Sequence, residues 1–244
     1  MNLFLFESNV FDLPLGKIPT HKLLINTINA HSYNIAQKDK LFAESLKLSH
    51  ILLPDGISIV FGKWFLNGVK LKKIAGEDLF YFEMNKLNQN RGSCFFLGSN
   101  ENTLIKILEH ARTEFPNVKI KTFSPPFTSE FSMEENNLIL EEINDFKPDV
   151  LFVGMTAPKQ EKWAYQHFKK LDVNHICCIG AVFDFYAGTV KRAPKWIINI
   201  GLEWLYRLIQ EPQRLWRRYL SGNVKFVFFI FKEKMILILN KKCT

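Results

Sequence analysis

Residues 149–170 read DVLFVGMTAPKQEKWAYQHFKK, and this stretch decides the fold. It opens with an apolar run of strand type and turns at Gly154. It continues as a helical segment with Pro158 suited to the first turn, where a missing amide hydrogen is tolerated. The same strand-then-helix unit recurs on both sides. HKLLINTI (21–28) reads as a strand, followed by a helix ending near SLKLS (45–49). ILLPDG (51–56) runs into a turn, and ISIVFGKWFLNG (57–68) continues as a helix. SCFFLGS (93–99) precedes NENTLIKILEHARTEF (100–115), whose Leu104, Ile107, Leu108 and Ala111 have helical spacing. VKIKTF (118–123) and HICCIGAV (175–182) complete the strand set. Strands alternating with helices predict an α/β fold, doubly wound around a mostly parallel sheet.

Composition agrees with a packed domain. Of 244 residues, 47% are hydrophobic and 23% charged, which argues against disorder. No run of roughly 18 apolar residues exists, so no transmembrane helix is expected. The first residues, MNLFLFESNVFDLPLG, lack a basic start and meet Glu7 early, unlike a signal peptide. Cys94, Cys177, Cys178 and Cys243 form no C-x-x-C pair. Neither a metal site nor a disulfide framework is expected, and a reducing cytoplasm fits. On a strand, Cys177 and Cys178 would face opposite sides of the sheet.

The net charge of +8 is unevenly placed. Residues 185–244 hold 12 Lys/Arg against 3 Asp/Glu, while the remainder holds 20 against 21. A near-neutral core, residues 1–190, therefore carries a basic and aromatic appendage, residues 191–244. Such a tail suits an anionic partner: lipid headgroups, a diphosphate or nucleic acid. Pro212 starts a new helix there. In RLWRRYL (214–220), 100° per residue places Arg214, Arg217 and Arg218 on one side, opposite Leu215, Trp216, Tyr219 and Leu220. KFVFFIFKEKMILILN (225–240) is apolar but broken by Lys232, Glu233 and Lys234. It is expected to lie at a membrane surface or to pack onto the core.

In open α/β sheets, ligands bind beyond the carboxyl ends of the strands. The polar residues following each strand are therefore the site candidates: Thr27 and Asn29, Asp55 and Gly56, Gly98 and Ser99, Thr156, Lys159 and Gln160, and Gly180 with Asp184. Asp55, between ILLP and Gly56, suits a general base at a crevice, and a turn or helix-capping aspartate gives the same pattern. The GMTAPKQE loop enters a helix whose free amide groups favour an anion, as most such loops do. Asp184 either binds ligand hydroxyls or caps a turn. Arg207, Arg214, Arg217 and Arg218 suit phosphate, and a solvated or membrane-surface helix face is the alternative. His31, His110, His167 and His175 have no ligand spacing.

Seven segments carry a resemblance: TINA (27–30), LLPDGISIV (52–60), KKIAGEDL (72–79), FFLGS (95–99), PDVLFVGMTAPKQEKW (148–163), GAVFDFYAGTVKRAPKW (180–196) and GLEWLYRLIQEPQRLWRRYL (201–220). Together they resemble the WecG/TagA/CpsF family, glycosyltransferase family 26, from about Leu23 to Phe231. The resemblance implies a Rossmann-like core of the GT-E type, often self-associating, with a C-terminal appendage that docks at the membrane and completes the active site. It implies inverting, metal-independent transfer from a UDP-sugar, of the N-acetylmannosamine type or a related sugar. The acceptor would be an undecaprenyl-diphosphate-linked sugar at the cytoplasmic membrane face, and no cofactor is expected. Asp55 falls on the family's catalytic base. Thr27 and Asn29 match pocket-lining positions, and Gln160 matches the glutamine of P-K-Q-E. Arg207, Arg214 and Arg217 match arginines that close over the donor diphosphate. Lys73 stands where many members have arginine, so a bidentate grip is not expected there. Gly98, Thr156, Lys159 and Asp184 complete the expected substrate contacts. The absence of a D-x-D triplet agrees, since the leaving diphosphate must then be neutralised by side chains and helix dipoles. A non-catalytic membrane-surface scaffold for polysaccharide assembly is the competing reading. Nucleic-acid binding is not expected, because the tail is too apolar for a solvated basic arm and has no reading motif.

Overall fold

The computed structural model describes residues 4–242. Six strands, β1 (Leu23–Ile28), β2 (Ile51–Pro54), β3 (Ser93–Gly98), β4 (Lys119–Phe123), β5 (Val150–Gly154) and β6 (His175–Cys178), form one sheet in the order β2-β1-β6-β5-β3-β4. Every pairing is parallel. Parallel strands need crossover helices, which cover both faces and explain the near-continuous apolar runs. The edge strand β4 is the exception, with Lys119 exposed and its other four residues, Lys121 included, only half-buried.

The helices are α1 (Phe4–Glu7), α2 (Ala30–Ala36), α3 (Lys40–Lys47), α4 (Ile57–Asn67), α5 (Gly76–Asn90), α6 (Glu101–Glu114) and α7 (Met133–Phe146). They continue with α8 (Lys159–His167), α9 (Val182–Tyr186), α10 (Lys195–Asn199), α11 (Glu203–Gln210), α12 (Pro212–Trp216) and α13 (Gly222–Lys242). Side-chain alternation divides the core. Leu23, Ile25, Phe96, Phe152 and Cys177 pack on one face with Leu79, Phe80 and Ile107 of α5 and α6. Phe95, Leu151 and Cys178 pack on the other with Ile139, Ile143 and Trp163 of α7 and α8. Cys177 and Cys178 thus face opposite sides, as their adjacency on a strand requires. Cys243 lies outside the described residues.

The strand-helix alternation predicted from the sequence is present, with α5 and α7 added to it. Asp78 accepts the Ala75 amide at 2.7 Å at the start of α5. Ser132 and Glu135 form a reciprocal capping box at the start of α7.

The C-terminal segment packs onto the core, one of its two expected placements. It forms α13, 21 residues long, and Lys232, Glu233 and Lys234 interrupt its apolar run but not the helix. Glu233 is buried, and its Oε1 accepts the Tyr33 hydroxyl at 2.6 Å and the Leu5 amide at 3.3 Å. Lys63 of α4, also buried, donates to the Leu5 and Ser8 carbonyls and lies within the field of Glu233. Phe226 and Ile230 join the same contact surface with Tyr33 and Ile59. The inner face of α13 therefore packs on α2 and α4. Among the described residues, no helix is long and apolar enough to cross a membrane.

Candidate active site

The carboxyl ends of β1 and β2 lie side by side, with Thr27 opposite Leu53 and Ile28 opposite Pro54. The Asp55 amide continues this ladder by donating to the Ile28 carbonyl at 2.9 Å. Gly56 then adopts φ 131°, a conformation open to glycine, and α4 starts one residue later. A side chain at Gly56 would sit 3.7 Å from Cβ of Asn29. Asn29 caps α2, its Oδ1 accepting from the His31 and Ser32 amides and the Ser32 hydroxyl. Thr27, Asn29 and Asp55 are thus brought together, each half-buried.

Asp55 is electrostatically the focus of the region. Burial raises its carboxyl above the ordinary range; Lys73 opposes this, Glu203 adds to it, and Arg218 and Arg192 oppose it. Lys73 is held by Glu203, at 3.0 Å between ammonium and carboxylate. Arg192 donates from Nε to the other oxygen of Glu203 at 3.2 Å, and its Nη1 meets Glu77. Burial works against ionisation of Glu203, but Lys73 and Arg192 outweigh it and hold its carboxyl below the ordinary range. Residues from KKIAGEDL, VKRAPKW and GLEWLYR thereby converge on Asp55.

The arginines of the tail come to the same end of the sheet. Arg218 is half-buried; burial lowers its affinity for its proton, and Arg207, Asp55 and Arg214 all act on its charge. The Arg207 guanidinium lies 5.1 Å over the Phe185 ring. The Nε atoms of Arg207 and Arg218 are buried with no partner among the described residues. Buried donors of like charge with unmet hydrogen-bonding capacity suit an anionic ligand. Asp184 faces this group: burial raises its carboxyl, while Arg214 and Arg207 pull it down. His31 is pushed down to about 4, first by burial and then by Arg218, and is neutral at physiological pH. Arg214 pairs with Glu211 at 2.7 Å and is otherwise exposed.

Arg217 stands apart. It is exposed, 5.2 Å over the Trp216 ring. Adjacent residues on a helix lie about 100° apart, and here Arg218 turns inward while Arg217 stays exposed.

The remaining candidates line the β3, β5 and β6 ends. A side chain at Gly98 would come within 2.5 Å of the Gly154 carbonyl oxygen, so Gly98 permits the two strand ends to approach. Gln160 is buried; its Oε1 accepts the Met155 amide at 3.2 Å and its Nε2 donates to Glu161 at 2.8 Å. Burial pushes the Glu161 carboxyl up to about 7. Thr156 is exposed. Lys159 turns to the neighbouring loop, donating to the Thr128 carbonyl at 2.7 Å and lying over the Phe131 ring. His175 is a packed residue, bonded to Glu83 at 2.8 Å and the Pro19 carbonyl at 2.9 Å.

Sequence reasoning did not single out Glu77, Arg192 or Glu203. Each stands in a segment that carries the resemblance, but their partners lie far along the chain and no spacing betrays the pairing.

A model of the glycosyl transferase WecG/TagA/CpsF family matches residues 15–238. An N-acetylglucosaminyldiphosphoundecaprenol N-acetyl-beta-D-mannosaminyltransferase of Bacillus subtilis (strain 168) is 30% identical over 228 residues, 93% of this chain and 84% of the relative. Proteins of the same name from Bacillus spizizenii (30% over 199 residues, 82% of this chain and 75% of the relative) and Staphylococcus aureus strain MW2 (26% over 216 residues, 88% and 82%) are also similar. With the six-stranded parallel sheet, these matches establish that the chain belongs to the WecG/TagA/CpsF family and is a glycosyltransferase.

Proposed function

We propose that this protein transfers an N-acetylmannosamine-type sugar from a UDP donor to a sugar on undecaprenyl diphosphate, with inversion and without a metal, in cell-envelope polymer synthesis. The observation that carries the reading is the convergence of Asp55 with Arg207, Arg214 and Arg218 at the carboxyl ends of the strands. The names of the similar proteins supply the acceptor and sugar class.

In this mechanism the Asp55 carboxylate takes the proton from the acceptor hydroxyl as its oxygen attacks the anomeric carbon. The bond to the UDP oxygen breaks on the opposite face, so one displacement inverts the centre. Charge then develops on the diphosphate. Arg207 and Arg218 offer forked donors to it, and their preorganisation in a partly desolvated site makes each interaction stronger than in water. Asp184, beside Arg207 and Arg214, is placed to orient sugar hydroxyls. Residues 191–244 act as the appendage that holds the protein on the membrane carrying its acceptor. Exposed Trp216, Val224, Phe228 and Phe231 support that role.

The test is transfer from a panel of UDP-sugars to N-acetylglucosaminyl-diphosphate-polyprenol. UDP-N-acetylmannosamine should give an extended product with inverted anomeric configuration and full activity in chelator. Transfer from another donor alone would reassign the sugar, and retained configuration would remove the single displacement.

A further inference from the structure

The helix that leaves Asp55 has one apolar face turned to solvent. Ile57, Phe61 and Trp64 are 55%, 48% and 49% exposed. Their i, i+4, i+7 spacing places them in a row along one side of α4, about 10 Å from end to end. The opposite side is fully used: Ile59, Lys63 and Leu66 are buried against α1 and α13. The exposed row is therefore not a spill-over from the core.

Both ends of the row are defined. At its head, Gly201 lies against Ile57, and a side chain there would stand 3.5 Å from Ile57 Cγ2. Ile200, 60% exposed, extends the apolar surface on that flank, and Glu203 with its Lys73 partner follows three residues later. At its foot, Phe61 and Trp64 lie 5.8 Å apart between ring centroids, Phe61 stacks on Phe65, and Phe65 meets Phe231 of α13 at 5.0 Å.

We infer that this row is the track for the polyprenyl chain of the acceptor. The inference deepens the proposed function and rests on it. An acceptor joined to a lipid through a diphosphate is an amphiphile. Its sugar hydroxyl must reach Asp55 while the hydrocarbon, only a diphosphate away, needs apolar surface. The row begins two residues from Asp55 and beside the cationic cluster, so polar and apolar demands are met in the order the substrate presents them. A membrane contact alone gives no reason for the apolar surface to begin at the site. Exposed aromatic rings in contact with one another form a sizeable apolar patch, which on a soluble protein marks a binding surface.

The test uses the full chain and its Phe61→Ser/Trp64→Ser variant. Two acceptors carry the same sugar diphosphate, one on a long polyprenyl chain and one on a short, water-soluble alkyl chain. The variant should raise KM for the polyprenyl acceptor about tenfold, the loss of part of one buried aromatic's transfer energy, and leave kcat within about twofold. KM for the short-chain acceptor, the melting temperature and sedimentation with acceptor-free anionic vesicles should not change. An equal rise for both acceptors, no rise for either, or a parallel loss of vesicle binding would overturn the assignment; the last would make α4 a general membrane contact. If the wild-type protein extends neither acceptor with any UDP-sugar, the proposed function itself fails and the track falls with it.

Discussion

The carboxylate of Glu203 lies 3.0 Å from the ammonium of Lys73, which precedes it by 130 residues. This pair joins the start of the basic tail to the loop between α4 and α5 and acts on Asp55. It makes the electrostatics of Asp55 depend on both parts of the chain.

The two partners act on Asp55 in opposite directions, which gives a paired prediction. A carboxylate base works only when deprotonated, so activity is lost as pH falls through its pKa. Glu203 raises that pKa and Lys73 lowers it. Glu203→Gln should therefore move the acid limb of the kcat/KM profile to lower pH. Lys73→Met should move it to higher pH. Shifts in the same direction would show that the pair acts through folding alone.

Arg207 and Arg218 are assigned to the developing charge on the diphosphate. Replacing either by Ala should lower kcat/KM by about two orders of magnitude, and Lys should restore only part, because an ammonium lacks the planar fork. Single-turnover kinetics with saturating donor would separate this from weaker binding. Complete rescue by Lys would reduce the role to a point charge.

Glu233 anchors α13 from inside. Glu233→Ala removes the acceptor of the Tyr33 hydroxyl and the carboxylate beside buried Lys63. Breaking a buried polar group of this kind costs about 3–5 kcal/mol, whereas Tyr33→Phe should cost about 1 kcal/mol. Urea unfolding of the two variants gives both values. A loss below about 1 kcal/mol for Glu233→Ala would mean that the apolar contacts of Phe226 and Ile230 suffice to hold the helix.

Glu161 sets a pH dependence of stability. Its carboxyl is raised from 4.5 to about 7 by burial, so the folded protein holds this proton after the unfolded chain has released it. The stabilisation is complete below about pH 4.5 and is lost as pH rises through about 7. Glu161→Gln should flatten this part of the melting curve between pH 5 and 8. An unchanged slope would place its origin elsewhere.

Apart from the edge strand β4, the sheet was legible because its strands are buried on both faces and so read as near-continuous apolar runs. The strand-end candidates were legible for the same reason, since the first polar residue after each run marks the carboxyl edge. Three features were not. Glu233 reads as a charge that interrupts an apolar run, and only the fold brings it the Tyr33 hydroxyl, 200 residues away, as a hydrogen-bond donor. Arg218 rather than Arg217 turns inward, a choice between neighbours that helical spacing does not make. Glu203, Arg192 and Glu77 form their network only across the fold, where no local spacing can announce it. The helices α5 and α7 did leave signals, in Asp78 and in the Ser132–Glu135 box, that periodicity alone does not weigh.

The central claim is that the Asp55 carboxylate removes the acceptor proton. Asp55→Asn keeps the size and the turn geometry while abolishing the base. The measurement is kcat for sugar transfer to the polyprenyl-diphosphate acceptor, taken beside the melting temperature and UDP-sugar affinity. A fall in kcat of about a hundredfold or more, with folding and donor binding preserved, is the predicted result. Transfer within a few-fold of the wild-type rate would contradict the account.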